Sequence, residues 1–207
     1  MVIVCLDLEG VLIPEIWVSV AERTGIDALR QTTRDNPDYD DLMRQRLALL
    51  DAHELKLADV QAVVATMAPL EGAAEFLAWL RDRYQVVILS DIFYELVSPL
   101  MRQLGHPTLF CHSLETDHEG RISGYQLRQP DAKRQAVRAF HRLNFGVVAA
   151  GDSYNDIAML TEADTGILFC PPDNVVSEYP ELPVAADYAD LQARIERAAD
   201  SLEEAAE

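Results

Sequence analysis

Two carboxylates one residue apart, Asp7 and Glu9, close the apolar run at the start of the chain in "MVIVCLDLEGV". Acids at the mouth of a buried strand are costly unless they are protonated or meet a cation. Polar endings of the same kind recur. Ser90 and Asp91 close "QVVILSD", and Gly151, Asp152, Ser153, Asn155 and Asp156 stand in "GDSYND" after "GVVAA". Lys133, in "DAKRQAV", adds a cation. Hard oxygen ligands suit magnesium, which takes one or two carboxylates and completes its shell with water and phosphate oxygens. The residue types therefore point to a divalent cation and a phosphate held together.

That convergence requires strands that end at one edge. "VIVCLD", "QVVILSD", "TLFCH", "GVVAAGD" and "TGILFC" are continuous apolar runs, as in strands buried on both faces of a parallel sheet. Between them lie helical patterns: "LEGAAEFLAWLRDRY" places Ala73, Phe76, Leu77 and Leu80 on one face. "YELVSPLMRQLG" stops at Gly105, with Pro99 expected to kink it or delay its start. The alternation predicts an α/β fold, a doubly wound, Rossmann-like parallel sheet with helices on both faces, whose ligands bind outside the carboxyl ends of the strands. Residues 112–128, with a His-Glu-Gly turn between polar arms, predict a β-hairpin excursion.

Residues 14–68 break the rhythm with helical patterns alone: "PEIWVSVAERTG", with Pro14 at a first helical position and Gly25 as the stop, then "DALRQTT", "YDDLMRQRLALLDAH" and "LADVQAVVATM". This insert reads as a helical cap (14–68) over an α/β core formed by 1–13 and 69–207. On the third helix Arg46 projects from an otherwise apolar face, either snorkelling outward or gripping a carboxylate in a pocket. Glu15, just inside the first of these helices, either pairs with an ammonium group or complements a helix dipole. The final "SLEEAAE" predicts a solvated helix end.

Composition narrows the classes. A formal charge of -18, from 35 acids and 17 bases, argues against a general grip on nucleic acid or an anionic membrane. The sequence shows no membrane-length apolar run and no leader pattern, so a cytoplasmic location is expected. Cys5, Cys111 and Cys170 lie in separate apolar runs without metal spacing and are expected to be buried free thiols.

Taken in order, "DLEGV", "ILSD", "DAKRQAV" and "GDSYND" resemble the four motifs of the haloacid dehalogenase superfamily. The resemblance covers essentially the whole chain and is strongest to the phosphoserine phosphatase branch. Within it, the bifunctional enzymes that also transfer phosphate from phosphoserine to homoserine carry Glu at the second acid of the first motif. It implies Asp7 as the nucleophile that forms an aspartyl phosphate, with magnesium held by Asp7, Asp152 and the side chain or backbone of Glu9.

Glu9 is expected either to donate and accept protons or to act only as a metal ligand. Asp156 is expected to bind metal through water, to orient Lys133, or to serve a helix dipole. Ser90 and the Asp91 amide, where the next helix begins, would contact a phosphoryl oxygen, Lys133 would neutralise the phosphate, and Asn155 would add a contact or cap a helix. Glu15 and Arg46 would read the amino and carboxylate groups of phosphoserine. Homoserine is the expected second acceptor, and an apolar cap or hairpin surface would support a homodimer. Two alternatives are an enzyme of this fold acting on another small phosphomonoester, such as a nucleotide or sugar phosphate, and a receiver-like phospho-switch.

Overall fold

The computed structural model describes residues 1–32 and 38–205 of the 207-residue chain. Strands β1 (Val2–Leu6), β2 (Gln85–Phe93), β3 (Thr108–Thr116), β4 (Ile122–Gln126), β5 (Gly146–Gly151), β6 (Thr165–Phe169) and β7 (Val184–Ala185) form one sheet in the order β4-β3-β2-β1-β5-β6-β7. β4 pairs antiparallel with β3, and the other pairings are parallel. Central β1 shows why its sequence is apolar without alternation. Val2, Val4 and Leu6 enter one hydrophobic cluster while Ile3 and Cys5 enter the other, on the opposite face.

Helices cover both faces. α4 (Ala73–Arg81), α5 (Tyr94–Gln103) and α9 (Tyr188–Glu204) bury their apolar stripes in the first cluster; α6 (Ala132–Arg142), α7 (Ile157–Glu162) and α8 (Asp173–Glu178) contribute to the second. On α4 the buried residues are the expected Ala73, Phe76, Leu77 and Leu80. The chain is thus an α/β fold of doubly wound, Rossmann-like type. Among the described residues, no helix is long and apolar enough to cross a membrane.

Between β1 and α4 lie α1 (Ile16–Thr24), a 3-10 turn (Asp27–Arg30), α2 (Tyr39–Ala52) and α3 (Leu57–Val64). Gly25 ends α1 in the left-handed conformation at φ 73°, where a side chain would be strained. The β3–β4 hairpin reaches these helices. The Leu57 amide donates to the Gly120 carbonyl (2.9 Å), and the Tyr125 hydroxyl donates to Asp40 (2.5 Å). On the core side, Gln61 donates to the Glu95 carbonyl (2.7 Å) and Tyr39 to the Asp91 carbonyl (2.8 Å).

Several local expectations need correction. α1 begins at Ile16, so Pro14 precedes the helix and Glu15 is its N-cap rather than an internal residue. α5 starts at Tyr94 and continues through Pro99, whose start is therefore not delayed. Cys5 and Cys111 are buried free thiols, but Cys170 is exposed. It lies one residue beyond β6 at φ 44°, which turns its thiol off the sheet to donate to the Ala186 carbonyl (3.2 Å). Thr33, the last residue of "DALRQTT", and the last two of "SLEEAAE" lie outside the described residues.

Candidate active site

Asp7 follows β1 directly, and its amide donates to the Ala150 carbonyl (2.9 Å), which fixes it against β5. Its Oδ1 accepts from the Leu8 amide (2.7 Å) and lies 2.9 Å from Lys133 Nζ. The chain then turns at Gly10, whose φ of 76° favours glycine. A Cβ there would sit 2.4 Å from Asp152 Oδ2, so the bare backbone is what lets the β1 and β5 ends approach.

Gly151 ends β5 for a related reason, since a Cβ on it would lie 2.4 Å from Asp156 Cγ. In that space Asp156 folds back so that Oδ2 accepts from the amides of Asp152 (2.9 Å) and Ser153 (3.2 Å). Its Oδ1 accepts from Lys133 (2.7 Å), the second residue of α6. Lys133, buried, thus faces Asp156, Asp7 and, at 3.5 Å, Asp91. Asp156 and Lys133, linked through one of the roles open to Asp156 from sequence, are in hydrogen-bond contact.

Ser90 and Asp91 do not introduce a helix. They lie within β2 where its pairing to β3 shifts between Leu89 and Phe93, and α5 begins three residues after Asp91. The irregularity turns Ser90 Oγ back to accept from the Ile92 amide (3.3 Å). Asp91 extends its carboxylate instead: Oδ2 accepts from Asn155 Nδ2 (3.0 Å), and Oδ1 lies 3.5 Å from His112 Nε2. His112 Nδ1 accepts from the Arg128 amide (3.1 Å), so the ring proton sits on Nε2 and faces Asp91. Burial opposes ionisation of Asp91, but Lys133, His112 and Asn155 together hold it well below the usual carboxylate range.

The electrostatic balance is informative. Burial, with repulsion from Asp156 and Asp152, pushes Asp7 well above its ordinary range against the pull of Lys133. Lys133 is in turn pushed upward, because Asp156, Asp7 and Asp91 outweigh the cost of burying it. Asp7, Asp152 and Asp156 each offer an oxygen, all within 4.8 Å of one another. A buried group of three carboxylates that converge on one point fits a hard divalent cation such as magnesium. The Glu9 carboxylate is not in this group. Its Oε1 turns away to accept from the Ile16 amide (2.7 Å), the first residue of α1.

Glu9 therefore faces the helical insert, in a pocket with Asp7, Glu15, Trp17, Arg46 and Ser90. Burial, reinforced by repulsion from Glu15, raises the Glu9 pKa to about 8 against the Ile16 hydrogen bond, Arg46 and Lys133. Arg46 is buried on α2 beside Leu42, Met43 and Leu50. Burial lowers its pKa to about 10, so it stays charged near neutrality. Its Nη2 donates to the Gln31 carbonyl (2.8 Å), and no carboxylate among the described residues pairs with it within 4.0 Å. A neighbouring cavity of about 250 Å³ lies beside His112, Lys133 and Tyr154 and shares Tyr39, Asp91 and Asn155 with the first.

The structure thus brings together Asp7, Lys133, Asp152 and Asp156; joins Asn155 and Asp91 to them; and sets Glu9, Glu15 and Arg46 across the pocket, with Ser90 at its wall. Sequence reasoning missed Trp17, Tyr39 and His112. His112 ends the run "TLFCH", so the strand-end criterion that found Asp91 could also have found it. Trp17 and Tyr39 read as ordinary apolar helix positions.

Residues 1–164 match the haloacid dehalogenase-like hydrolase family. Over 192 residues the chain is 64% identical to phosphoserine phosphatase ThrH of Pseudomonas aeruginosa, covering 93% of this chain and 94% of the relative. It is 63% identical over 190 residues to a phosphoserine phosphatase of Pseudomonas syringae pv. tomato, covering 92% and 80%. The fold is similar to a phospho-aspartyl intermediate analogue of a phosphoserine phosphatase, with a TM-score of 0.76 at 22% identity over 93% of this chain and 97% of that one.

Proposed function

The chain belongs to the haloacid dehalogenase-like hydrolases, and on that premise we propose that it is a magnesium-dependent phosphatase that hydrolyses O-phosphoserine through an aspartyl phosphate on Asp7. Residues 14–68 act in this reading as a cap over a catalytic core of residues 1–13 and 69–207. The observation that carries it is the meeting of two sets of groups at one pocket, which Asp7 and Asp152 line together with Glu9, Glu15 and Arg46. Asp7 sits with Lys133 in a buried acidic cluster on the core side. Glu9, with its pKa near 8, and Arg46, without a carboxylate partner among the described residues, face it from beneath the helices. The names of the relatives from the two Pseudomonas species support phosphoserine as the substrate.

Asp7 and Asp152, with Asp156, would hold magnesium, which when bound supplies positive charge to the phosphoryl oxygens. A carboxylate oxygen of Asp7 attacks phosphorus as the bond from phosphorus to the serine oxygen breaks. Glu9, protonated near neutrality, gives its proton to the departing serine oxygen. Lys133 and Ser90 bind phosphoryl oxygens whose charge the transition state spreads. Asn155, tied to Asp91 and Ser153, steadies the loop beside them. Arg46 takes the serine carboxylate and Glu15 the ammonium group.

In the second half-reaction the Glu9 carboxylate takes a proton from water as the water oxygen bonds to phosphorus. The bond from Asp7 to phosphorus breaks, which restores the Asp7 carboxylate and releases phosphate. A homoserine hydroxyl, entering where serine left, meets the same base, and its attack yields homoserine phosphate. A base placed to take a proton from water takes one equally from an alcohol hydroxyl in the same position, which supports this transfer. Buried, reduced Cys5 and Cys111 accord with a cytoplasmic setting.

The test is phosphate release from phosphoserine with magnesium, measured alongside nucleotide and sugar phosphates. Equal rates across the panel would overturn the amino-acid substrate. Homoserine added to the same reaction should yield homoserine phosphate by mass spectrometry, and its absence would remove the transferase activity.

A further inference from the structure

Arg46 can discriminate a carboxylate only if its long side chain is held in one orientation without its charge being cancelled. The guanidinium carbon lies 4.7 Å from the centroid of the Trp17 ring, over its face. Both side chains are buried, Arg46 at 7% and Trp17 at 3% exposure. The edge contacts are few: Nη2 donates to the Gln31 carbonyl (2.8 Å), and Nη1 approaches Met43 Sδ (3.7 Å). Arg46 Nε is buried with no hydrogen-bond partner among the described residues. A buried N–H left in this way is costly, and packing alone gives no reason for it.

We propose that Trp17 is a positioning residue for substrate selection, its indole face fixing the Arg46 guanidinium in the orientation in which its N–H donors meet the substrate carboxylate. The inference rests on the phosphoserine reading given above. An aromatic face suits the task because it attracts the cation while using none of its N–H donors. A carboxylate in the same place would orient Arg46 equally well but would neutralise it, which removes the attraction for an anionic substrate. Trp17 also comes from α1 and Arg46 from α2, so the stack sets the spacing of the two helices at the pocket as well as the rotamer. Glu15, which precedes α1 by one residue, is placed by the same helix.

The experiment compares phosphoserine with phosphoethanolamine, which keeps the phosphate and ammonium groups but lacks the carboxylate. Trp17→Leu should lower the preference for phosphoserine about tenfold, mainly through its KM. Trp17→Phe, which keeps an aromatic face, should lose less. In an Arg46→Met background, Trp17→Leu should cause no further loss of preference, since it acts through Arg46. Circular dichroism and thermal melts establish that each variant is folded; should Trp17→Leu fail to fold, Trp17→Phe is read against Arg46→Met in the same way. An equal loss for both substrates, or an undiminished loss in the Arg46→Met background, would overturn the proposal and leave Trp17 as core packing. If the unsubstituted protein does not prefer phosphoserine at all, the carboxylate role of Arg46 fails, and the role of Trp17 with it.

Discussion

The Glu9 carboxylate accepts the Ile16 amide N–H at 2.7 Å, so the side chain two residues after Asp7 is fastened to the first turn of the helix above it. Asp at this position would draw the carboxyl back by about 1.5 Å, one carbon–carbon bond, and lose the tether. Glu9→Asp is therefore expected to keep the metal group, which the Glu9 carboxylate does not join. It should change the ratio of homoserine phosphate to free phosphate by at least about threefold, because water and alcohol meet the base in different positions. Competition between the two acceptors, with both products quantified, checks it; an unchanged ratio would remove the special role of Glu.

The raised pKa of Glu9 has a stability signature. Its folded-state value of about 8 lies above the ordinary 4.5, so the folded chain retains a proton that the unfolded chain releases. Its contribution is fully present below about pH 4.5 and is lost as pH rises through about 8. Glu9→Gln cannot ionise, so in chelator-treated protein its melting temperature relative to the unsubstituted chain should rise between pH 5 and pH 8.5. A difference that is flat with pH would mean that Glu9 is not held neutral.

Lys133 answers three carboxylates from a fully packed position. Lys133→Met leaves them without that charge and should lower stability by about 3 kcal/mol in metal-free protein, measured by urea denaturation. The same variant should lose turnover, because phosphoryl oxygens lose a charge-assisted contact.

Gly10→Ala places a methyl group where Asp152 lies, at a backbone angle that disfavours it. Magnesium affinity should fall at least about tenfold by titration calorimetry, as the Asp152 carboxylate is pushed from its neighbours. Gly25→Ala makes a useful contrast: it has the same left-handed backbone but no atom within 4 Å of the added carbon, so it should cost about 1 kcal/mol of stability and leave affinity intact.

The sheet was legible because burial on both faces leaves runs such as "VIVCL" without polar interruption, and the acids that end those runs are the ones that converge. Asp7, Asp152 and Asp156 were accessible on that ground alone. The bulge at Ser90 and Asp91 was not, because strand continuation and helix initiation both tolerate "SDIF", and only the pairing to β3 decides between them. Glu9 illustrates a different limit: its place in the sequence puts it beside the acidic cluster, whereas its hydrogen bond to Ile16, set by how α1 enters, turns it the other way. Trp17 was hidden because an indole that carries a cation and one that fills a core have the same helical spacing.

The hairpin has a kinetic consequence. Gly120 and Tyr125 hold the amino ends of α3 and α2 by hydrogen bonds to Leu57 and Asp40. On the proposed mechanism an outward swing of those helices would break these links, so the dwell time of a phosphorylated Asp7 would depend on an edge of the sheet that takes no part in the chemistry. Drift in the hairpin sequence would then change how often water wins over a slower, scarcer alcohol, while every reacting side chain stayed the same.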